Sequence, residues 1–168
     1  GPGATGPELR ERVGPMGRVV GVDLTREMLD RARTHSTRTG SGVHYLQADA
    51  TRPPVESADA VLATFVVGLF PDPAAAVDAW CDCVGPGGRV ALLNFQRSDH
   101  ALAVPLNLVF EGFVRLSSPG SRLSAGSQAD AFERRVAAAR RRLTERTVDR
   151  RYRTFGGGYL GLVSGRVC

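Results

Sequence analysis

The sequence predicts an α/β fold in which a doubly wound, mostly parallel sheet ends in a C-terminal antiparallel hairpin. Strand and helix patterns alternate over the first 95 residues, which is the order that parallel sheets produce. The run at 58–67 is apolar apart from Asp59 and Thr64, which favours a strand buried on both faces. Two further strand patterns, at 147–154 and 159–167, stand close together around three glycines and therefore predict a hairpin.

The first cycle of elements follows a glycine-rich start. A helix pattern covers residues 7–13 and is stopped by Gly14-Pro15. A run of β-branched residues at 18–23 predicts a strand, and Thr25 can cap the helix that follows it. The order is therefore loop, helix, strand and helix.

The second cycle begins with a strand pattern at 43–47 and continues with the apolar run at 58–67. Asp72-Pro73 is a favourable cap and first-turn pair for the next helix. That helix ends before the glycine-rich turn at 85–88, and a strand pattern at 89–95 follows.

The period of the pattern changes after residue 95. Residues 101–116 are mostly apolar with breaks at Pro105 and Gly112, whereas 117–127 are rich in Ser and Gly and predict a loop. Ser127 and Asp130 have the spacing of a capping box and predict the start of another helix. That helix carries one apolar stripe, formed by Phe132, Val136, Ala139 and Leu143.

Composition excludes several chemistries. All 22 basic residues are Arg, so a phosphate-binding loop with its Lys, a pyridoxal Schiff base and a Tyr-x-x-x-Lys dehydrogenase site cannot be built. The three cysteines lack a disulfide framework, which favours a reducing compartment, and we expect a cytoplasmic protein. Cys81 and Cys83 lack zinc-ligand partners and are interpreted as packing residues. No apolar stretch reaches the length of about 18 residues that predicts a membrane span.

The positive charge is concentrated in one segment. Residues 133–153 contain nine Arg and three acidic residues, whereas the rest of the chain is close to neutral. Such a segment can contact the phosphates of nucleic acid or of lipid head groups. It lacks the interleaved aromatic residues of a base-stacking surface, and a solvated helix face is the more frequent explanation of a charge run.

Glycines and acids at strand ends predict a nucleoside site. Gly1, Gly3 and Gly6 have the spacing Gly-x-Gly-x-x-Gly, and Asp23 ends a strand about twenty residues later, where a carboxylate can accept hydrogen bonds from both ribose hydroxyls. Asp49 ends the next strand and can meet an adenine amine. Two acids would repel a pyrophosphate and favour a cationic ligand of nucleoside size. A helix cap at Asp23 and a loop acid at Asp49 are the simpler alternatives.

The ordered set of these motifs resembles the class I S-adenosylmethionine-dependent methyltransferases, which have a Rossmann-like sheet. Gly1-Pro2-Gly3 resembles the tail of their glycine loop, and Gln47-Ala48-Asp49 resembles the segment that carries their adenine acid. Residues 59–64 resemble their fourth strand, and residues 84–90 resemble the Pro-Gly-Gly turn into their fifth. The resemblance covers residues 1 to about 95, and the terminal hairpin is similar to their last two strands.

The resemblance implies S-adenosyl-L-methionine as the cofactor and a single methyltransferase domain. Within it, 1–97 is the cofactor-binding half, 98–128 a variable substrate-lid insert, and 129–168 a helix plus hairpin. The implied cofactor-binding residues are Gly1, Gly3, Asp23, Leu24, Met28, Asp49, Ala50 and Thr64. The chemistry requires few catalytic residues, and Asp99 and His100 are the candidates for a base, although a polar loop pair would look the same.

The family pattern Asp/Glu-x-Gly-x-Gly-x-Gly places its acid and first glycine before residue 1. We therefore expect an N-terminally truncated chain that lacks the first strand, binds the cofactor weakly and folds poorly alone. The stretch 20–33 most resembles the branch of quinone-biosynthesis and phosphatidylethanolamine-type methyltransferases.

The apolar insert favours a small-molecule or lipid-like methyl acceptor. Thr64-Phe65 follow the fourth strand without the Asn/Asp-Pro-Pro motif of enzymes that modify amino groups of adenine or glutamine. The alternatives are an RNA methyltransferase that uses the Arg-rich segment 134–153, an NAD(P)-dependent oxidoreductase, and a non-enzymatic remnant that pairs with another chain.

Overall fold

The computed structural model describes residues 1–96 and 125–168, with side chains from residue 130 onward in the second range. The chain divides into two compact units, Gly1–Pro54 and Val55–Cys168. Asp99 and His100, and most of the predicted insert 98–128, lie outside the described residues. No helix in the described ranges is long and apolar enough to cross a membrane.

The first unit is built from two helices and a two-stranded parallel sheet. Its elements are α1 (Gly6–Val13), β1 (Val20–Asp23), α2 (Arg26–Thr39) and β2 (His44–Gln47). In the sheet, Val20 pairs with His44 and Asp23 pairs with Gln47. Leu29 and Ala32 of α2 are almost completely buried, so this helix supplies much of the unit's small core.

The start of the first unit depends on a glycine. Gly3 has a positive φ of 79°, and a Cβ atom there would lie 2.9 Å from the Cβ of Ala32 and 2.8 Å from the hydroxyl of Tyr45. Only glycine adopts this backbone conformation without strain and also allows the loop to approach α2 so closely.

One predicted cap differs in detail. Thr25 occupies the N-cap position of α2, but its side chain makes no capping hydrogen bond. Its backbone N–H instead donates to the carboxylate of Asp23 at 2.7 Å. An Asx turn between these residues therefore fixes the start of the helix.

The second unit is a four-stranded mixed sheet with the strand order β3-β4-β6-β5. Its elements are β3 (Ala60–Thr64), a 3₁₀ turn (Val67–Leu69), α3 (Pro73–Val84), β4 (Arg89–Phe95), α4 (Ala125–Arg146), β5 (Thr147–Phe155) and β6 (Leu160–Val167). β3 and β4 are parallel, whereas β6 is antiparallel to both β4 and β5. The predicted fold class, with its terminal hairpin, is confirmed.

The core of the second unit lies between the sheet and the helices α3 and α4. Val90 and Leu92 of β4 are fully buried there. The apolar stripe predicted on α4 faces this core, because its four residues, Phe132, Val136, Ala139 and Leu143, belong to the buried cluster. Asp72 caps α3 as predicted, since its carboxylate accepts a hydrogen bond from the backbone of Ala75 at 3.0 Å.

Two boundaries differ from the sequence patterns. The apolar run 58–67 forms a strand only over Ala60–Thr64, because Phe65 has a positive φ of 60° and turns the chain. α4 begins at Ala125, so Ser127 lies inside its first turn and not at its N-cap. The residues before Ser127 can themselves be helical, and a cap motif alone does not fix a helix end.

Candidate functional site

Asp23 lies at the carboxyl end of β1, where its side chain is 18% exposed. One carboxylate oxygen accepts the hydrogen bond from Thr25, and the other contacts the amino group of Gly1. Burial raises the pKa of Asp23, whereas the hydrogen bond from the Thr25 backbone lowers it. Asp23 therefore acts as a hydrogen-bond acceptor at the end of β1.

Asp49 lies two residues beyond the end of β2 and is exposed. Its Oδ1 atom accepts hydrogen bonds from the backbone of Thr51 at 2.9 Å and from the Thr51 hydroxyl at 2.8 Å. These bonds hold the pKa of Asp49 below its usual value. The Oδ2 atom makes no hydrogen bond to a described residue, so it can accept one from a ligand.

Two hydrogen bonds join the segments that carry these acids. The backbone of Ala48 donates to the Asp23 carbonyl at 3.1 Å, and the side chain of Gln47 donates to the Leu24 carbonyl at 3.1 Å. Since β1 and β2 are parallel, Asp23 and Asp49 lie at the same edge of their sheet. Ligands of open α/β sheets bind outside this carboxyl edge.

The other residues predicted in the first unit differ in exposure. Leu24 is 69% exposed, whereas Met28 and Ala50 are half-buried. A Cβ atom on Gly1 would have nothing within 4 Å, so Gly1 lies beside Asp23 with open space around it. Gly3 lies against α2, where a Cβ atom would be 2.9 Å from the Cβ of Ala32.

Thr64 lies in the second unit, where it is half-buried at the carboxyl end of β3. Phe65 follows it with a positive φ, and its backbone N–H donates to the Leu93 carbonyl at 2.8 Å. The ring of Phe65 stacks on that of Phe95, with centroids 4.5 Å apart. The sequence gives no signal for this conformation, because an aromatic residue rarely adopts a left-handed backbone.

The structure accounts for much of the basic segment. Arg142 and Arg146 bind Asp78, and three other arginines, Arg135, Arg140 and Arg150, donate to oxygens of Gly68, Gln96 and Thr144. Only four of the nine have no hydrogen bond or ion pair to a described residue: Arg134, Arg141, Arg151 and Arg153. Five of the nine arginines therefore make contacts within the protein, and two of these five, Arg142 and Arg146, are paired with carboxylates.

The edge formed by β1 and β2 fits an adenosyl group. Asp23 offers a carboxylate to vicinal hydroxyls, Asp49 offers an acceptor to an amine, and Leu24 and Met28 add apolar surface. Within the described ranges, no group of three His, Cys, Asp or Glu residues could hold a metal ion.

Comparisons with known proteins agree with this description. Residues 1–92 match the protein family described as "Methyltransferase domain". The chain is 34% identical over 100 residues to a ubiquinone biosynthesis O-methyltransferase from Shewanella sp. (strain ANA-3), an alignment that covers 57% of this chain and 42% of that protein. It is 33% identical over 87 residues to the aklanonic acid methyltransferase DauC from Streptomyces sp. (strain C5), covering 50% and 40%.

The fold is also found among solved structures. The chain aligns with an O-methyltransferase family protein from Burkholderia thailandensis with a TM-score of 0.65 and 19% identity, covering 98% of this chain and 49% of that one. At this identity the likeness concerns the fold alone. The alignments with these two curated relatives span about two fifths of the relatives' own length.

Proposed function

This chain belongs to the methyltransferase domain family, and we propose that it takes part in methyl transfer from S-adenosylmethionine to a small-molecule or lipid-like acceptor. The observation that carries the proposal is the placement of Asp23 and Asp49 at one carboxyl edge, where each carboxylate accepts hydrogen bonds. An adenosyl group presents hydroxyls and an amine that match these acceptors.

The cofactor-binding residues have distinct parts in this proposal. Asp23 holds the ribose hydroxyls, Asp49 with the backbone of Ala50 holds the adenine amine, and Leu24 and Met28 cover the base. The remaining proposed contacts with the cofactor come from the backbone of Gly1 and Gly3 and from the side chain of Thr64.

S-adenosylmethionine supplies an electrophilic methyl group on a sulfonium, whose leaving group departs neutral. The work of the protein is therefore to orient the reactants and to exclude water. If the acceptor loses a proton, a base is needed, and Asp99 and His100 are our candidates for it.

A small-molecule acceptor is favoured by two observations. The two relatives are named for ubiquinone biosynthesis and for aklanonic acid, both small molecules. The basic segment gives less support to an RNA acceptor, because five of its nine arginines bind groups within the protein.

Two finer points belong to the same proposal. We place the chain in the branch of quinone-biosynthesis and phosphatidylethanolamine-type enzymes, on the resemblance of residues 20–33. We also propose that a further parallel strand pairs with β1 in the whole protein. β1 pairs only with β2 among the described residues, and an unpaired edge leaves backbone donors and acceptors unused.

Calorimetric titration with S-adenosylhomocysteine tests the cofactor assignment. We expect weak binding by the 168-residue chain, a loss of about tenfold in Asp23→Asn and a smaller loss in Asp49→Asn, since one hydrogen bond to a charged group contributes about 1.5–3 kcal/mol. Asp59→Asn is the matched control, because Asp59 is an exposed acid outside the proposed site.

Three outcomes would count against parts of the proposal. Binding of NADH without binding of S-adenosylhomocysteine would overturn the methyltransferase function. An unchanged affinity in Asp23→Asn would overturn the role of that residue. Tight binding by the 168-residue chain would overturn the proposed additional strand.

A further inference from the structure

A polar cluster lies at the carboxyl end of β4, on the side of the sheet that faces α4. Its centre is Gln96, whose Oε1 atom accepts hydrogen bonds from Arg140 Nη2 at 2.9 Å and from the Tyr152 hydroxyl at 2.8 Å. The amide nitrogen of Gln96 donates to the Gly158 carbonyl at 2.9 Å. These bonds fix the orientation of the Gln96 amide and, through it, the position of the guanidinium.

The sheet is shaped to accommodate this cluster. Gly161 of β6 lies opposite Asn94 in the register of the sheet. A Cβ atom on Gly161 would lie 2.2 Å from Gln96 Oε1 and 2.5 Å from Arg140 Nη2. The absence of a side chain at this position therefore lets both polar groups sit directly on the strand.

Part of the hydrogen-bonding capacity of the cluster is unused. Arg140 is half-buried, and its Cζ atom lies over the Tyr152 ring, 5.7 Å from the ring centroid. No carboxylate of a described residue lies within ion-pair distance of Arg140. Its Nε atom is buried and has no hydrogen-bond partner among the described residues. The side chain of Asn94 is also fully buried, and in the described part of the chain neither its oxygen nor its nitrogen has a partner. Unsatisfied buried groups of this kind are rare and indicate a missing partner.

The contrast with neighbouring arginines supports this interpretation. Two other arginines of α4 have carboxylate partners, since Arg142 and Arg146 both bind Asp78. Arg140 lies on the same helix and receives only the neutral oxygen of Gln96. A fixed guanidinium that no described carboxylate neutralises is suited to bind a carboxylate, because its planar array of donors matches the two oxygens.

We propose that Arg140, held by Gln96 and Tyr152, binds a carboxylate group of the methyl acceptor. This inference rests on the proposed function for the identity of the ligand as an acceptor. The carboxylate is a recognition group that positions the acceptor, and the methylated atom is a separate one.

NMR titration of the 168-residue chain with benzoate, and in parallel with benzamide as the neutral probe of similar shape, tests the site without any cofactor. We expect benzoate to bind more tightly than benzamide, and Arg140→Gln to weaken benzoate binding by at least tenfold. Arg141→Gln is the matched control, because Arg141 is its exposed neighbour with no partner among the described residues. It should bind benzoate like the parent chain.

A second variant keeps the test decisive if Arg140→Gln folds poorly. Gln96→Glu places a carboxylate beside the guanidinium and should compete with benzoate, which lowers the benzoate affinity. The variant keeps an acceptor for Arg140 and Tyr152 but loses the donor to the Gly158 carbonyl. Equal affinities for benzoate and benzamide, or benzoate binding that neither variant weakens, would overturn the inference. A separate titration uses inorganic phosphate as a second anionic probe. Binding of phosphate without binding of benzoate would overturn the assignment of a carboxylate ligand. Since no titration contains S-adenosylhomocysteine, these outcomes are independent of the test of the proposed function.

Discussion

Arg142 of α4 donates from its Nε atom to both carboxylate oxygens of Asp78 in α3, at 2.9 Å each. Arg146, one turn further along α4, donates to the same Asp78 at 2.6 Å and to Asp82 at 2.6 Å. Asp78 is therefore shared by two guanidinium groups. These ion pairs join α3 to α4 through residues that are more than 60 positions apart in the sequence.

We expect Asp78→Ala to lower the free energy of unfolding by about 1–2 kcal/mol, because it leaves two arginines without their shared carboxylate. Urea titration measures the change. Asp82→Ala is the control, since the Asp82 side chain is 69% exposed and has one arginine partner, and it should cost less than about 1 kcal/mol. Equal losses in the two variants would contradict a special role for Asp78.

The same carboxylate makes stability depend on pH. Burial raises the pKa of Asp78, but the hydrogen bonds from Arg142 and Arg146 outweigh it and hold the pKa below its usual value. A pKa that is lower in the folded state contributes stability above the unfolded value of about 3.9. That stability is lost as the pH falls through the folded pKa.

Acid titration of Asp78→Asn tests this dependence. We expect the parent chain to lose its advantage over the variant as the pH falls below about 4. Above about pH 5 the difference in unfolding free energy should be constant. A difference that persists undiminished at low pH would show that the ionised form of Asp78 does not provide the stabilisation.

Substitutions of Phe65 measure the cost of its left-handed backbone. Phe65→Ala and Phe65→Gly both remove the ring that stacks on Phe95, but only glycine relieves the strain at a φ of 60°. We therefore expect the Gly variant to be more stable than the Ala variant by about 1 kcal/mol. Chemical denaturation of both variants gives this difference.

The control for Phe65 is a position inside a helix. There, alanine is expected to be more stable than glycine, which is the reverse of the order expected at Phe65. Ala137 is exposed on α4, and Ala137→Gly should be less stable than the parent chain by about 0.5–1 kcal/mol. A Phe65→Ala variant as stable as Phe65→Gly would mean that the backbone at this position relaxes out of the left-handed region.

Gly68 allows the 3₁₀ turn to approach α4. A Cβ atom at this buried position would lie 2.2 Å from the ring of Phe132. We expect Gly68→Ala to cost about 1–3 kcal/mol, because the buried ring must move. Thermal unfolding measures the loss. In the background of Phe132→Leu, the same Gly68→Ala change should cost less, and strictly additive effects would argue against a clash between these residues.

The sequence alone predicted the order of the elements and the positions of the two acids at strand ends. These features depend on local patterns: alternating strand and helix periods, the Asp72 cap of α3 and the closely spaced terminal strands. Neighbours along the chain carry such information, so the fold class and the hairpin were predictable. The S-adenosylmethionine assignment came from the resemblance of the ordered motifs, which the family match at residues 1–92 supports.

Only the tertiary structure decided where β3 ends and which arginines are paired. Neither Phe65 nor its neighbours Thr64 and Val66 favour a left-handed backbone, yet Phe65 adopts one with its ring stacked on Phe95. Nothing in the pattern of the Arg-rich segment separates Arg142, bound to Asp78, from Arg140, which lacks a carboxylate among the described residues. The physical reason is that a side chain's partner is set by packing between distant segments, whereas sequence patterns report only on neighbours along the chain.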